Sequence, residues 1–487
     1  MGVNQLHSLG REQDVRFLFE DSFGTWKRPA LTAVAGVNRG VQVNNAAIQK
    51  EPQVIVRKFT NPLSRDHSST IKHKTKCEAS VESDLVPSDT VGGTPDIHPL
   101  MYLGIGGCRH YFTITIDNYA TMNNDTFTIP MYTNQNVSAT QTFIEGTDWN
   151  DGGSNTAAAI ALAAEIDSRP YLHASVTTPG QIDCYTDDVI TWMSNATSLV
   201  GATFTFTKIE YICNTRQRKL GSLTMHQKMS TLSRSLTGCW VEETNLKVDS
   251  SSQPKLMFKL GGKDVIVTGV TGIASITDSD TLVVDKESTL EANSLVCFED
   301  VDGEIDDNSG AGYLVSSVSG TTVNFSTAHN AADTDTIFPF LPTATFYGEA
   351  LGNLDGSVTI DGDEFDIINL DLTIKQNIKP HDDNVFQETV SDYTQSFREV
   401  EGKFSIRCNE DEVEHLTKFY ADQLTDYELV LQVGSTAGSR MTITMPRINK
   451  TKMPVTTPGD GEVMMDIEFV ALASDYTASD SITITLD

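Results

Sequence analysis

The chain has 487 residues, 39% apolar and 8% aromatic, which is enough apolar side chain for folded cores and too long for one ordinary domain. Its 66 Asp and Glu outnumber 35 Lys and Arg, and the resulting net charge of -31 excludes a surface built to grip nucleic-acid phosphates tightly. Residues 1–80 run the other way, with 12 Lys and Arg against 7 Asp and Glu, so a basic leading segment precedes an acidic body.

The opening stretch MGVNQLHSLGREQDVRF has no basic region followed by an apolar run, and no window reaches roughly 18 apolar residues. Neither a secretory signal nor a membrane-spanning helix is expected. The seven cysteines are scattered, odd in number and free of CxxC, which fits small buried hydrophobes in a reducing compartment.

From VIVRKF onward most of the chain reads as short strands. β-Branched and aromatic residues alternate with polar ones, and Gly, Asp, Asn and Pro fill the gaps. The segment IKHKTK places Lys72, Lys74 and Lys76 on one face of such a strand. Those lysines suit a contact with an acidic neighbouring copy or with passing DNA, and equally a solvated edge kept soluble by its charge. Three helices interrupt the strands: an apolar one over 95–107, an alanine-rich one over 155–168, and one over 409–424. The last carries Asn409 as N-cap, Glu412 three residues on, and an apolar stripe of Val413, Leu416, Phe419 and Tyr420.

Two stretches read as self-contained insertions. Residues 109–207 have the element order of a small α+β domain, and residues 262–342 that of a small β domain. The remainder, 1–108, 208–261 and 343–487, would form one discontinuous core domain.

Residues 353–380 are dense in acids around the sequence DGDE. A calcium loop counted from Asp361 fails, because its fifth, sixth and twelfth positions are Phe365, Asp366 and Leu372. Asp361-Gly362 between alternating runs instead predicts a two-residue hairpin of type I′. In the strand that follows, Asn369, Asp371, Thr373 and Lys375 share one face, and Ile368, Leu370, Leu372 and Ile374 the other. Likewise Glu399, Glu401, Lys403 and Ser405 oppose Val400, Phe404 and Ile406, while Asp466 and Glu468 oppose Met465, Ile467 and Phe469.

The ten histidines show no HxH, HxxxH or HExxH spacing, GxSxG is missing, and KLGGKDV lacks the upstream glycine of a P-loop. No catalytic residue, metal ligand set or cofactor is therefore expected, and an enzyme is the least favoured class.

Several segments together resemble the tail tube proteins of long-tailed, siphovirus-type bacteriophages. They are KTKCEASVESDLVPSDTVGGTPDIHPLMYLGIGG, SLTMHQKMSTLSRSLTGCWVEETNLKVDSSSQPKLMFKLGG, GSVTIDGDEFDIINLDLTIKQNI, REVEGKFSIRCNEDEVEHLTKFYADQ, ELVLQVGS and RMTITMPRINKTKMPVTTPGDGEVMMDIEFVAL. The resemblance rests on element order and residue character, and both insertions depart from the minimal pattern. It implies a β-sandwich or partial barrel with one packed helix, six copies per ring, and rings stacked into a hollow virion tube assembled in the host cytoplasm. Tape-measure, tail terminator and tip proteins are the implied partners, with viral DNA passing through unbound. The polar rows Asn369, Asp371, Thr373, Lys375, Glu399, Glu401, Lys403, Asp466 and Glu468 become candidates for an acidic lumen that repels DNA. Lys72, Lys74 and Lys76 become candidate inter-subunit contacts. Another virion β-protein (a decoration, head-fibre or tail-terminator subunit) and an acidic carbohydrate-binding or adhesin module remain as alternatives.

Overall fold

The computed structural model describes residues 13–29, 40–57, 69–122, 126–133, 137–150, 152–194, 200–213, 220–249, 252–286, 289–344, 346, 348–351, 356–365, 367–382, 387–407, 417, 421, 426–456, 463–475 and 478–487. Of residues 53–57 and 69–73 it describes the backbone alone. The chain is mainly β, built from antiparallel strands. Seven strands carry the argument: β1 (Asn45–Arg57), β2 (Ser69–Asp84), β3 (Leu232–Asp249), β4 (Ser252–Gly262), β5 (Ile367–Lys375), β6 (Glu399–Arg407) and β7 (Met464–Leu472). Hydrogen-bonded pairing runs β1-β2-β4-β3-β5-β6-β7, every neighbour antiparallel.

Period-2 alternation decides which face of this sheet is dry. Val81, Phe258, Leu246, Leu372, Phe404 and Ile467 point into one apolar cluster and are at most 2% exposed. Strands Asp14–Phe19, Leu223–Lys228, Asp426–Val433 and Met441–Lys452 contribute to the same cluster from outside the seven. A second apolar cluster gathers Phe112, Phe127, Phe143, Leu162 and Ile182, all within residues 109–207, and a third gathers Leu282, Val296, Phe298, Val315 and Ile337 within 262–342.

The expected hairpin at Asp361-Gly362 is present. Ile360 pairs with Asp363, and the two loop residues have φ of 53° and 88°, as a type I′ turn requires. Asp361 also ties the turn to the next strand, since its Oδ1 accepts the Glu428 N–H at 2.8 Å.

Helix α1 (His98–Ile105) starts later than the apolar run suggested, with a proline in its first turn. It ends where Gly106 takes φ 118°. Its residues are buried nearly all round, as a helix with no polar face must be. Gly104 makes that seat possible, because a Cβ there would stand 2.2 Å from Thr244 Oγ1 on β3. The helix's last carbonyls find donors from outside: Gln376 Nε2 donates to Gly104 O and Arg398 Nη1 to Ile105 O, each at 2.6 Å. Helix α2 (Asn155–Ser168) has the predicted bounds, capped by Ser154 Oγ accepting the Ala157 N–H at 3.1 Å. The helix expected over 409–424 falls almost wholly outside the described residues.

On β6, Gly402 faces the core directly across from Phe469 of β7, whose ring fills the space a side chain would take. A Cβ at Gly402 would lie 2.1 Å from Phe469 Cζ. Gly402→Val is expected to lower the unfolding free energy by about 1–3 kcal/mol through overpacking, read as a shifted denaturant midpoint at unchanged slope.

Candidate assembly surface

The opposite face of the seven-stranded sheet is mostly polar, broken by Met257 on β4 and Val470 on β7, and the register brings the sequence-predicted rows together. Asn369, Glu399, Glu401 and Lys403 are exposed, while Asp371, Thr373, Lys375, Asp466 and Glu468 are half-buried among their neighbours. One line of opposed residues crosses four strands as Lys247, Asp371, Lys403 and Glu468, and continues to Lys452 on the neighbouring Met441–Lys452 strand. The next line runs Asn245, Thr373 and Glu401, and a third Lys259, Glu243, Lys375 and Glu399. Ser405 departs from the predicted exposed row: it is 4% exposed and donates its hydroxyl to Asp466 Oδ1 at 2.5 Å.

Opposite charges are therefore neighbours by construction. Lys375 Nζ lies 2.7 Å from Glu401 Oε2, Lys452 Nζ 2.7 Å from Glu468 Oε2, and Lys255 Nζ 2.9 Å from Glu82 Oε1. Asn245 Nδ2 donates to Asp371 Oδ1 at 2.5 Å and to Thr373 Oγ1 at 3.0 Å. Donating to Glu401 holds the pKa of the Lys375 ammonium above its usual range. The face is thus a mixed-charge lattice with a modest acidic excess. Most of the net charge lies in the two regions read as insertions: residues 109–207 hold 10 Asp and Glu against 2 Arg, and residues 262–342 hold 14 against 2 Lys.

At the other side of the sheet, β1 and β2 run on past the end of β4. Over residues 54–57 and 69–72 they pair only with each other among the described residues, beyond the point where β4 leaves β2 at Cys77. The result is a two-stranded arm. Of the predicted contact lysines, Lys76 is exposed and ion-paired to Glu78 at 2.5 Å, Lys74 is half-buried, and the Lys72 side chain lies outside the described residues. Among the described residues β1 pairs on one side only, leaving a sheet edge.

Residues 302–471 match the model of the family described as phage tail tube protein. That segment, about a third of the chain, is similar to phage tail tube proteins. The matched tail tube segment contains the hairpin at Asp361-Gly362 and all nine residues of the polar rows. It begins inside the region 262–342 that the sequence reading sets apart as an insertion. No curated protein matches the chain.

Sequence reasoning missed a buried group at the root of the 109–207 region. His98, Cys108 and His110 bring their donor atoms within 4.8 Å of one another. The pattern Cys-x-His along a strand, which puts both side chains on one face, was the available signal, and His98 joins them only through the fold.

Ion pairs of the exposed lattice add little to chain stability, since Lys375 and Glu401 are 37% and 48% exposed. Glu401→Gln is expected to change the unfolding free energy of the monomeric chain by less than about 1 kcal/mol in chemical denaturation.

Proposed function

We propose that this chain is the subunit of the tail tube itself, six copies forming a ring and rings stacking into a conduit for DNA during ejection. The observation that carries the reading is the seven-strand sheet that is dry on one face and mostly polar on the other, whose strands β5 and β6 and all but the last residue of β7 lie within the segment matched to the tail tube family. Side by side in a ring, such sheets present their wet faces to a common channel. The rows of Asp371, Lys375, Glu399, Glu401, Lys403 and Glu468 then line it. DNA slides past a lattice in which Lys375 and Lys452 are paired with Glu401 and Glu468, and the acidic excess keeps the polymer off the wall. The dense charge of residues 109–207 and 262–342 belongs on the outside, where it keeps assembled tubes from sticking to one another.

In this reading the arm made by β1 and β2 reaches a neighbouring subunit or the next ring, and the open edge of β1 is closed by a strand from another copy. Lys72, Lys74 and Lys76 lie along that arm. The tape-measure, terminator and tip proteins are the further partners the reading requires, the virion tail is its location, and it assigns the chain no catalytic step.

Replacing residues 54–72 by a short Gly-Ser turn tests the arm. The shortened chain is expected to stay folded by circular dichroism and to lose tubes in negative-stain images, while the full chain forms them. Tubes of normal length from the shortened chain contradict the role given to the arm, and a full chain that stays monomeric at every concentration contradicts the function.

A further inference from the structure

The buried group at the root of the 109–207 region is a set of metal ligands in its chemistry. His98 opens α1, Cys108 and His110 alternate along the Cys108–Ile116 strand, and all three are at most 3% exposed. Cys108 Sγ is 3.6 Å from His110 Nε2. Two ligands on one tetrahedral zinc, at about 2.3 Å for sulfur and about 2.0–2.1 Å for nitrogen, stand close to that distance apart. His98 Nδ1 is 2.8 Å from the Tyr211 hydroxyl, the kind of outer partner that orients a ligating imidazole, and its Nε2 meets the Thr191 carbonyl. A ring nitrogen of His110 meets the same carbonyl, which makes Thr191 O the nearest fourth donor.

The surroundings favour a cation over a bare polar knot. Asp188 is fully buried and its carbonyl accepts the Cys108 N–H at 3.3 Å, which seats an acidic residue beside the group. A divalent ion displaces the thiol proton, and the thiolate and the nearby carboxylate then offset its charge. Nitrogen and sulfur donors select an ion of the zinc class and reject calcium and magnesium, which want oxygen.

We propose that His98, Cys108 and His110 bind one zinc-class divalent ion, with the Thr191 carbonyl as fourth donor and Tyr211 as a positioning residue. The ion would pin three otherwise separate pieces together: the start of α1, the strand leaving it, and the Ile190–Met193 strand of the 109–207 region.

The full chain, expressed in zinc-supplemented medium and purified without chelator, should carry one zinc per chain by elemental mass spectrometry. Refolding it with Co2+ should give a thiolate-to-cobalt charge-transfer band. Cys108→Ser should abolish that band, and Tyr211→Phe should keep it while weakening zinc affinity about 10–100-fold. Should the serine variant fail to fold, the band in the native chain and the affinity loss in Tyr211→Phe still decide. A folded chain that holds no zinc and shows no cobalt band after refolding overturns the site, as does zinc retained equally by the serine variant. In either case the two imidazoles simply share the Thr191 carbonyl as N–H donors.

Discussion

One constraint organises the molecule: a strand can bury only every second residue, so a sheet packed on one side has a wet side of equal area. Along β5 and β6 the buried set is Leu370, Leu372, Ile374, Val400, Phe404 and Ile406, and the residues between them have nowhere to go but the other face. Shifting any one strand by a residue would bury its charges, which fixes the register across all seven strands. The same register lays Lys247, Asp371, Lys403 and Glu468 in a line, so the charge lattice follows from burying the core.

That origin alters how the acidity of the chain is understood. The sequence-wide charge of -31 suggested an acidic, repelling lumen, yet on the candidate face Glu401 and Glu468 are ion-paired to lysines, and residues 109–207 and 262–342 carry the larger excess. In the proposed tube, ion pairs such as Lys375–Glu401 and Lys452–Glu468 would hold the side chains of the wall in place. In that reading the strong net charge of residues 109–207 and 262–342 would serve colloidal stability, a separate task on a separate surface.

Much of this was legible in the sequence because it depends on local rules. The Asp361-Gly362 hairpin, the bounds of α2 and the two faces of β5 follow from turn chemistry, capping and period-2 patterning. Burial of Ser405 was not legible, since it depends on Asp466 arriving opposite it from a strand 60 residues away, at a hydroxyl–carboxylate distance of 2.5 Å. The late start of α1 reflects the proline in its first turn, and its total burial reflects Gly104 against Thr244, a contact between distant segments. The His98, Cys108 and His110 group was hidden for the same reason: a strand places two of its members and a helix brings the third.

The central claim is that the mixed-charge face lines a channel. A reconstruction of assembled tubes at side-chain resolution tests it most directly. The account predicts Asp371, Glu401, Lys403 and Glu468 of every subunit facing the lumen, with residues 109–207 on the outer surface. Those four side chains on the outside of the tube, or a channel walled by residues 109–207, would contradict it.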